Sequence, residues 1–139
     1  MEPEKETTPQ SDDNATANGR KILIIEDEHF ISELYVRALT RGGYDVTVEV
    51  DGKRGLELAQ TNGFDIILLD LMIPTMTGIE VLRNLRGDGA PRLKSKIIIT
   101  TNLEQREENR TDIENRADAY LIKAEITPRE LVEFLNNVQ

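Results

Sequence analysis

Two segments of this chain, KILIIED from Lys21 and FDIILLD from Phe64, each carry an unbroken apolar run that stops abruptly at an acid. A strand with one wet face alternates apolar and polar residues. A run without polar gaps has both faces covered. Two such strands therefore demand a sheet with helices on each side, and the intervening sequence supplies them. Ile31, Leu34, Tyr35, Ala38 and Leu39 recur at helical spacing and stop at Gly42-Gly43. Tyr44 to Val50 alternates like a half-covered strand, and Gly55 to Gln60 reads as a short helix with Leu56 and Ala59 inward, ending near Asn62-Gly63.

Further along, Ile79, Leu82 and Leu85 place a third helix after Gly78, followed by a polar loop of Gly, Asp, Pro and Lys. Lys96 to Thr100 is a fourth apolar strand with a polar exit, and Ala119 to Ile122 a short fifth. Thr127-Pro128-Arg129-Glu130 opens the last helix, with Thr127 as N-cap, Pro128 at the first helical position and Glu130 as reciprocal cap. Leu131, Phe134, Leu135 and Val138 give that helix its buried face. Five strands alternating with five helices predict an α/β fold, a doubly wound five-stranded parallel sheet. Ligands of such sheets bind at the carboxyl ends of the strands, near the switch in strand order.

Composition narrows the setting. The 139 residues suffice for one domain with a core, and the absence of Cys removes disulfides, thiolate metal sites and thiol nucleophiles. A net charge of −9 makes the chain alone a poor partner for nucleic acid. No apolar stretch spans a bilayer and no signal-peptide core is present, so the expected location is cytoplasmic, with no membrane partner. Residues 1–19 hold no large apolar residue after Met1 and are expected to form a disordered acidic and polar tail, leaving 20–139 as the domain.

The chemistry gathers at the strand exits. The first strand ends in Glu26-Asp27-Glu28, the third at Asp70, and the fifth runs into Lys123. Carboxylates converging on one rim repel one another unless a cation sits among them, and oxygen-only ligands favour a hard ion, Mg²⁺ above all. Asp70 would then be poised as a nucleophile able to carry a phosphoryl group as an acyl phosphate. Lys123 supplies an ammonium to offset the charge of the transferring group. Thr101, at the exit of the fourth strand, can donate a hydroxyl hydrogen bond to a phosphoryl oxygen.

From about Lys21 to Gln139 this pattern resembles the receiver domains of two-component response regulators. The acidic pair Glu26-Asp27, the acceptor Asp70, Thr101 and Lys123 match in order and strand position. So does DLMIPTMTG, in which Pro74 and Gly78 fall four and eight residues after the acceptor. The resemblance implies a flavodoxin-like (βα)5 fold and a phosphoprotein of signal transduction that is not an enzyme beyond its own phosphotransfer and dephosphorylation. It implies that Asp27, Asp70 and the Met72 carbonyl bind the metal directly, that Glu26 acts through water, and that Thr101 and Tyr120 act as the switch. A histidine kinase or histidine phosphotransfer protein is the implied donor, and a protein target on the face of the fourth helix, fifth strand and fifth helix the implied output. No output domain is expected after the last helix, and output by contact with another protein or through a phosphorelay is expected instead. Apolar Met72 and Leu103 beside the acceptor imply a comparatively long-lived acyl phosphate.

Bland readings stand beside these. Glu28 is explained by a helix N-terminus, Tyr120 by core packing, and His29, the sole histidine, by a surface position. Thr100 competes with Thr101, and the small residue Asn102 after Thr101 matches the family pattern. Ala124 stands where many receivers have proline, so the following loop is expected to differ. Leu103 to Arg116 holds Ile113 as its only large apolar residue after Leu103, which predicts a weakly held fourth helix whose ensemble shifts on phosphorylation. The alternative function is a phosphorylation-independent interaction module. A phosphatase with an Asp nucleophile would want a second Asp where Met72 stands, and a flavin carrier would want a phosphate loop after the first strand.

Overall fold

The computed structural model of the chain describes residues 19–138, and the expected tail lies outside them apart from Gly19. In chain order the elements are β1 (Lys21–Ile25), α1 (His29–Arg41), β2 (Asp45–Glu49), α2 (Gly52–Gln60), β3 (Ile66–Asp70), α3 (Gly78–Arg86), β4 (Lys96–Thr101), α4 (Leu103–Glu108), α5 (Arg110–Arg116), β5 (Ala119–Ile122), a 3₁₀ turn (Lys123–Glu125) and α6 (Pro128–Asn136). The five strands form one sheet in the order β2-β1-β3-β4-β5, and every pair is parallel. Strand order reverses between β1 and β3, which puts the crevice at their carboxyl ends.

Strand alternation divides the core into two layers. Leu23, Ile25, Ile67, Leu69, Ile97 and Ile99 face α2, α3 and α5 through Leu56, Ala59, Leu82, Leu85 and Ile113. Ile22, Ile24, Ile66, Leu68 and Ile98 face α1 and α6 through Tyr35, Leu39, Leu131 and Leu135. The central strands β1 and β3 are buried on both faces, as their unbroken apolar runs require, and each such side chain contributes roughly 1.5–3 kcal/mol by burial. The edge strand β2 is half exposed. Among the described residues no helix is long and apolar enough to cross a membrane.

Capping chemistry sets the helix starts. Thr127 and Glu130 form the expected reciprocal box on α6, and Thr77 and Glu80 form a second on α3 that the apolar periodicity does not reveal. Asp51 caps α2 by accepting from the N–H groups of Lys53 and Arg54, so this helix begins three residues before the expected Gly55. Gly78, at the start of α3, lies against the acceptor strand. A Cβ there would come within 2.3 Å of the Asp70 carbonyl oxygen and 2.6 Å of Leu71 Cα. That contact is the physical reason for a glycine eight residues after Asp70.

The expected fourth helix is two helices, broken at Asn109 (φ −111°, ψ 21°), so the described residues hold six α-helices. α4 buries no residue and α5 buries only Ile113. α5 is nevertheless tied to α3: Asp112 accepts from Arg83 at 2.6 Å and from Arg116 at 2.9 Å, and Arg86 donates to the Arg116 carbonyl at 3.0 Å. α4 meets the sheet through Arg106, whose guanidinium lies 4.4 Å from the centre of the Tyr120 ring. Backbone hydrogen bonds without a buried side-chain layer open most readily. Amide exchange is therefore expected to be fastest in α4 among the helices, with α5 slower. Protection of α4 equal to that of α1 would contradict this.

Candidate functional site

Three strand exits meet at the crevice. Register pairs Ile25 with Leu69, Asp70 with Thr100 and Thr101 with Ile122, so Glu26, Asp70 and Lys123 emerge at one level of the sheet. Lys123 Nζ lies 3.0 Å from Asp70 Oδ2, 3.1 Å from Glu26 Oε1 and 3.4 Å from Glu28 Oε1. Glu26 and Asp70 are buried, at 1% and 3% exposure, whereas Asp27 is exposed and opens the cluster to water. Carboxylate oxygens of Glu26, Asp27 and Asp70 all lie within 4.8 Å of one another. The backbone N–H of Met72 donates to Asp70 Oδ1 at 3.2 Å, and that of Glu28 to Glu26 Oε2 at 3.2 Å.

The electrostatics follow from burial and crowding. Burial, reinforced by the charge of Asp70, pushes the Glu26 carboxyl from 4.5 up to about 7, with Lys123 opposing the rise only in part. Burial works against the charge of Lys123, but the Asp70 and Glu26 carboxylates outweigh it and hold the ammonium above its ordinary value. Glu26 Oε1 is buried and accepts no aligned hydrogen bond, although it stands near the ammonium. An under-satisfied buried oxygen in an all-carboxylate cluster fits a hard divalent cation such as Mg²⁺, with Glu26, Asp27 and Asp70 as the residues able to hold it.

The remaining expected residues are placed as follows. Thr101 is 1% exposed and its hydroxyl donates to the Asn102 carbonyl at 3.1 Å, with no hydrogen bond to Asp70. Thr100, its competitor, is equally buried at 3% and stands across from Asp70 in register. Tyr120 is half-buried, packed on the α2–α3–α5 side beneath Arg106. Met72 is 58% exposed. His29 opens α1 at the surface. Sequence reasoning assigned Glu28 to the start of α1; it does stand there as N-cap, but its side chain makes no capping bond and turns to Lys123 instead. Nothing in local sequence signals that pairing, which joins residues 95 positions apart. Tyr35, inward as its spacing predicts, lies within reach of the charges of Lys123, Glu26 and Asp70, and burial raises its phenol.

An all-parallel sheet with an acidic cluster and a lysine at its carboxyl rim defines a doubly wound module with its candidate site at the switch in strand order. The family model of the response regulator receiver domain matches residues 22–136, and the chain belongs to that family. It is 36% identical over 119 residues to the response regulator ArlR of Staphylococcus saprophyticus, covering 86% of this chain and 50% of that protein. Against the alkaline phosphatase synthesis transcriptional regulatory protein PhoP of Bacillus subtilis it is 37% identical over 112 residues, covering 81% and 45%. The chain thus spans about half the length of the curated relatives it matches. Among solved structures, the Francisella response regulator 1452 receiver domain is similar at a TM-score of 0.73 and 31% identity, covering 84% of this chain and 93% of that one. Two-component signalling by a receiver domain is accordingly the general role of this fold here.

Proposed function

We propose that the chain is a phosphorylation-dependent switch that accepts a phosphoryl group on Asp70 and signals by contact with another protein. The observation that carries this reading is the gathering of Glu26, Asp27 and Asp70 within 4.8 Å, with the half-buried Lys123 ammonium on Glu26 and Asp70 and Glu26 Oε1 left under-satisfied. The donor is phosphohistidine on a histidine kinase or phosphotransfer protein. An oxygen of Asp70 attacks phosphorus, the phosphorus–nitrogen bond breaks, and the imidazole leaves with the electron pair and takes up a proton. Mg²⁺, when bound, neutralises charge on the transferring group.

The chain's own residues do the positioning. Met72 N–H and Lys123 orient the Asp70 carboxylate, and Lys123 can pass from the carboxylate to a phosphoryl oxygen. Thr101 must rotate its hydroxyl away from Asn102 to reach the same group. That rotation frees space beside β4, into which Tyr120 can turn once Arg106 releases it, so the signal travels to the face of α4, α5, β5 and α6. Three exposed apolar side chains follow the site residues: Phe30 at 74%, Met72 at 58% and Leu103 at 54%. They suit the docking of a donor over Asp70. Met72 and Leu103 also offer no polar group to activate a hydrolytic water, which favours a lasting acyl phosphate.

The test uses a small phosphodonor. Labelling is expected with Mg²⁺, absent with EDTA and absent in Asp70→Asn, with the label outlasting seconds at neutral pH and amide exchange changing in α4 and β5. A chain that binds its partner equally with and without labelling, or that never labels, is the phosphorylation-independent module instead.

A further inference from the structure

Thr75 is one of two non-glycine residues with positive φ among the described residues, at 68°. A β-branched residue is costly in that region and persists only when its surroundings hold it there. The holding contacts come from the start of α2. Thr75 Oγ1 donates to Asp51 Oδ1 at 2.5 Å and accepts from the Lys53 N–H at 3.2 Å. Beside it, the Gly52 N–H donates to the Pro74 carbonyl at 3.0 Å. The fit admits no side chain at Gly52, where a Cβ would fall 2.0 Å from the Met76 carbonyl oxygen. At its other end the same loop is fixed by Gly78 against Asp70 and by burial of Leu71 and Ile73. Met72, between those two buried residues, is left at the rim beside Asp70.

The α2 end is itself tied to the acidic pair. Glu49, two residues before Asp51, accepts the Glu26 N–H on its carbonyl at 3.0 Å, and its carboxylate accepts the N–H groups of Val50 and Asp51. One short stretch, Glu49 to Lys53, therefore braces both the Glu26-Asp27 exit and the Met72 loop.

We propose that Asp51 and Thr75 are positioning residues that latch the Leu71–Thr77 loop to α2 and thereby set the divalent-cation affinity of the acidic site. The inference rests on the cation reading of Glu26, Asp27 and Asp70 given above. It concerns two side chains, the half-buried Asp51 and the exposed Thr75, that are not among the three carboxylates. A rigid outer contact orients its inner donors, and loss of such a contact weakens metal binding without removing a ligand.

The experiment is Mn²⁺ titration of the unphosphorylated chain, followed by electron paramagnetic resonance of the free ion, alongside thermal unfolding in EDTA. Thr75→Val keeps the shape and removes the hydroxyl, and is expected to weaken Mn²⁺ binding about threefold to tenfold. Thr75→Ser is expected to restore it, and Gly52→Ala, which pushes the loop from the α2 side, to weaken it independently. Asp27→Asn is the control for the site. If the wild-type chain binds no Mn²⁺, or Asp27→Asn binds as well as wild type, the cation reading fails. If wild type binds and Asp27→Asn does not, while Thr75→Val matches wild type, the latch is wrong. It is equally wrong if the affinity loss merely tracks a loss of folded protein at the titration temperature.

Discussion

Replacing Lys123 by methionine is expected to slow labelling by a small phosphodonor roughly a hundredfold at saturating Mg²⁺. Among the described residues no other Lys or Arg pairs with Glu26 or Asp70, so the variant loses the only ammonium aimed at the acceptor oxygen. Methionine preserves most of the length and apolar contact of the stem, which confines the change to the charge. The same variant should also lose stability. Glu26 and Asp70 are buried together, and removing the countercharge leaves two carboxylates that water cannot reach well. In EDTA at pH 7.5 the expected loss is about 3 kcal/mol, shrinking toward pH 5 as Glu26 takes up its proton. Calorimetric or denaturant unfolding at the two pH values measures this, and a loss of equal size at both would contradict it.

Stability in EDTA is expected to fall as pH rises from about 4.5 to about 7, the interval between the ordinary and the folded-state value of Glu26. The sign follows from proton counting. In that interval the folded chain keeps the Glu26 proton while the unfolded chain has lost it, so raising pH favours unfolding. The full effect is about 3 kcal/mol at roughly 1.4 kcal/mol per pH unit. Lys123, held above its ordinary value, stays protonated in both states throughout and adds no slope. Asp51 and Asp112, held below 3.8 chiefly by hydrogen bonds from Thr75 and Arg83, act only in more acid solution. Glu26→Gln should flatten the slope. Saturating Mg²⁺ should flatten it too, because a cation favours the charged carboxyls. Denaturant midpoints across this range in wild type and Glu26→Gln are the measurement, and an unchanged slope in the variant would move the titration to another group.

Much of this architecture was legible because its causes are local. KILIIED and FDIILLD announce strands covered on both faces, and Thr127-Pro128-Arg129-Glu130 announces a helix start, with no tertiary information needed. The rim follows from those strands once their order is parallel, which is why Glu26, Asp70 and Lys123 fall together. The misses have long-range causes. The start of α2 depends on Asp51, whose cap is shared with Thr75 from a loop 24 residues away. The break at Asn109 reflects ion pairs that hold α5 to α3 while α4 is left outside the core, a division no periodicity could show in so polar a segment. The side-chain direction of Glu28 was likewise invisible, because it is settled by Lys123, 95 residues away, whereas the Thr101 hydroxyl turns to the carbonyl of its own neighbour Asn102.

The central claim is that Asp70, among the acidic and hydroxyl side chains of Glu26, Asp27, Glu28, Asp70, Thr100 and Thr101 crowded at this rim, supplies the oxygen that bonds phosphorus. Incubation with a small phosphodonor and Mg²⁺, followed by borohydride reduction and peptide mapping by mass spectrometry, reads this directly, because reduction converts only an acyl phosphate to an alcohol. The expected result is homoserine at position 70 and nowhere else, absent when EDTA replaces Mg²⁺. Reduction at Glu26 or Asp27, or a phosphoryl group that survives on Thr100 or Thr101 while Asp70 stays unmodified, would contradict the account.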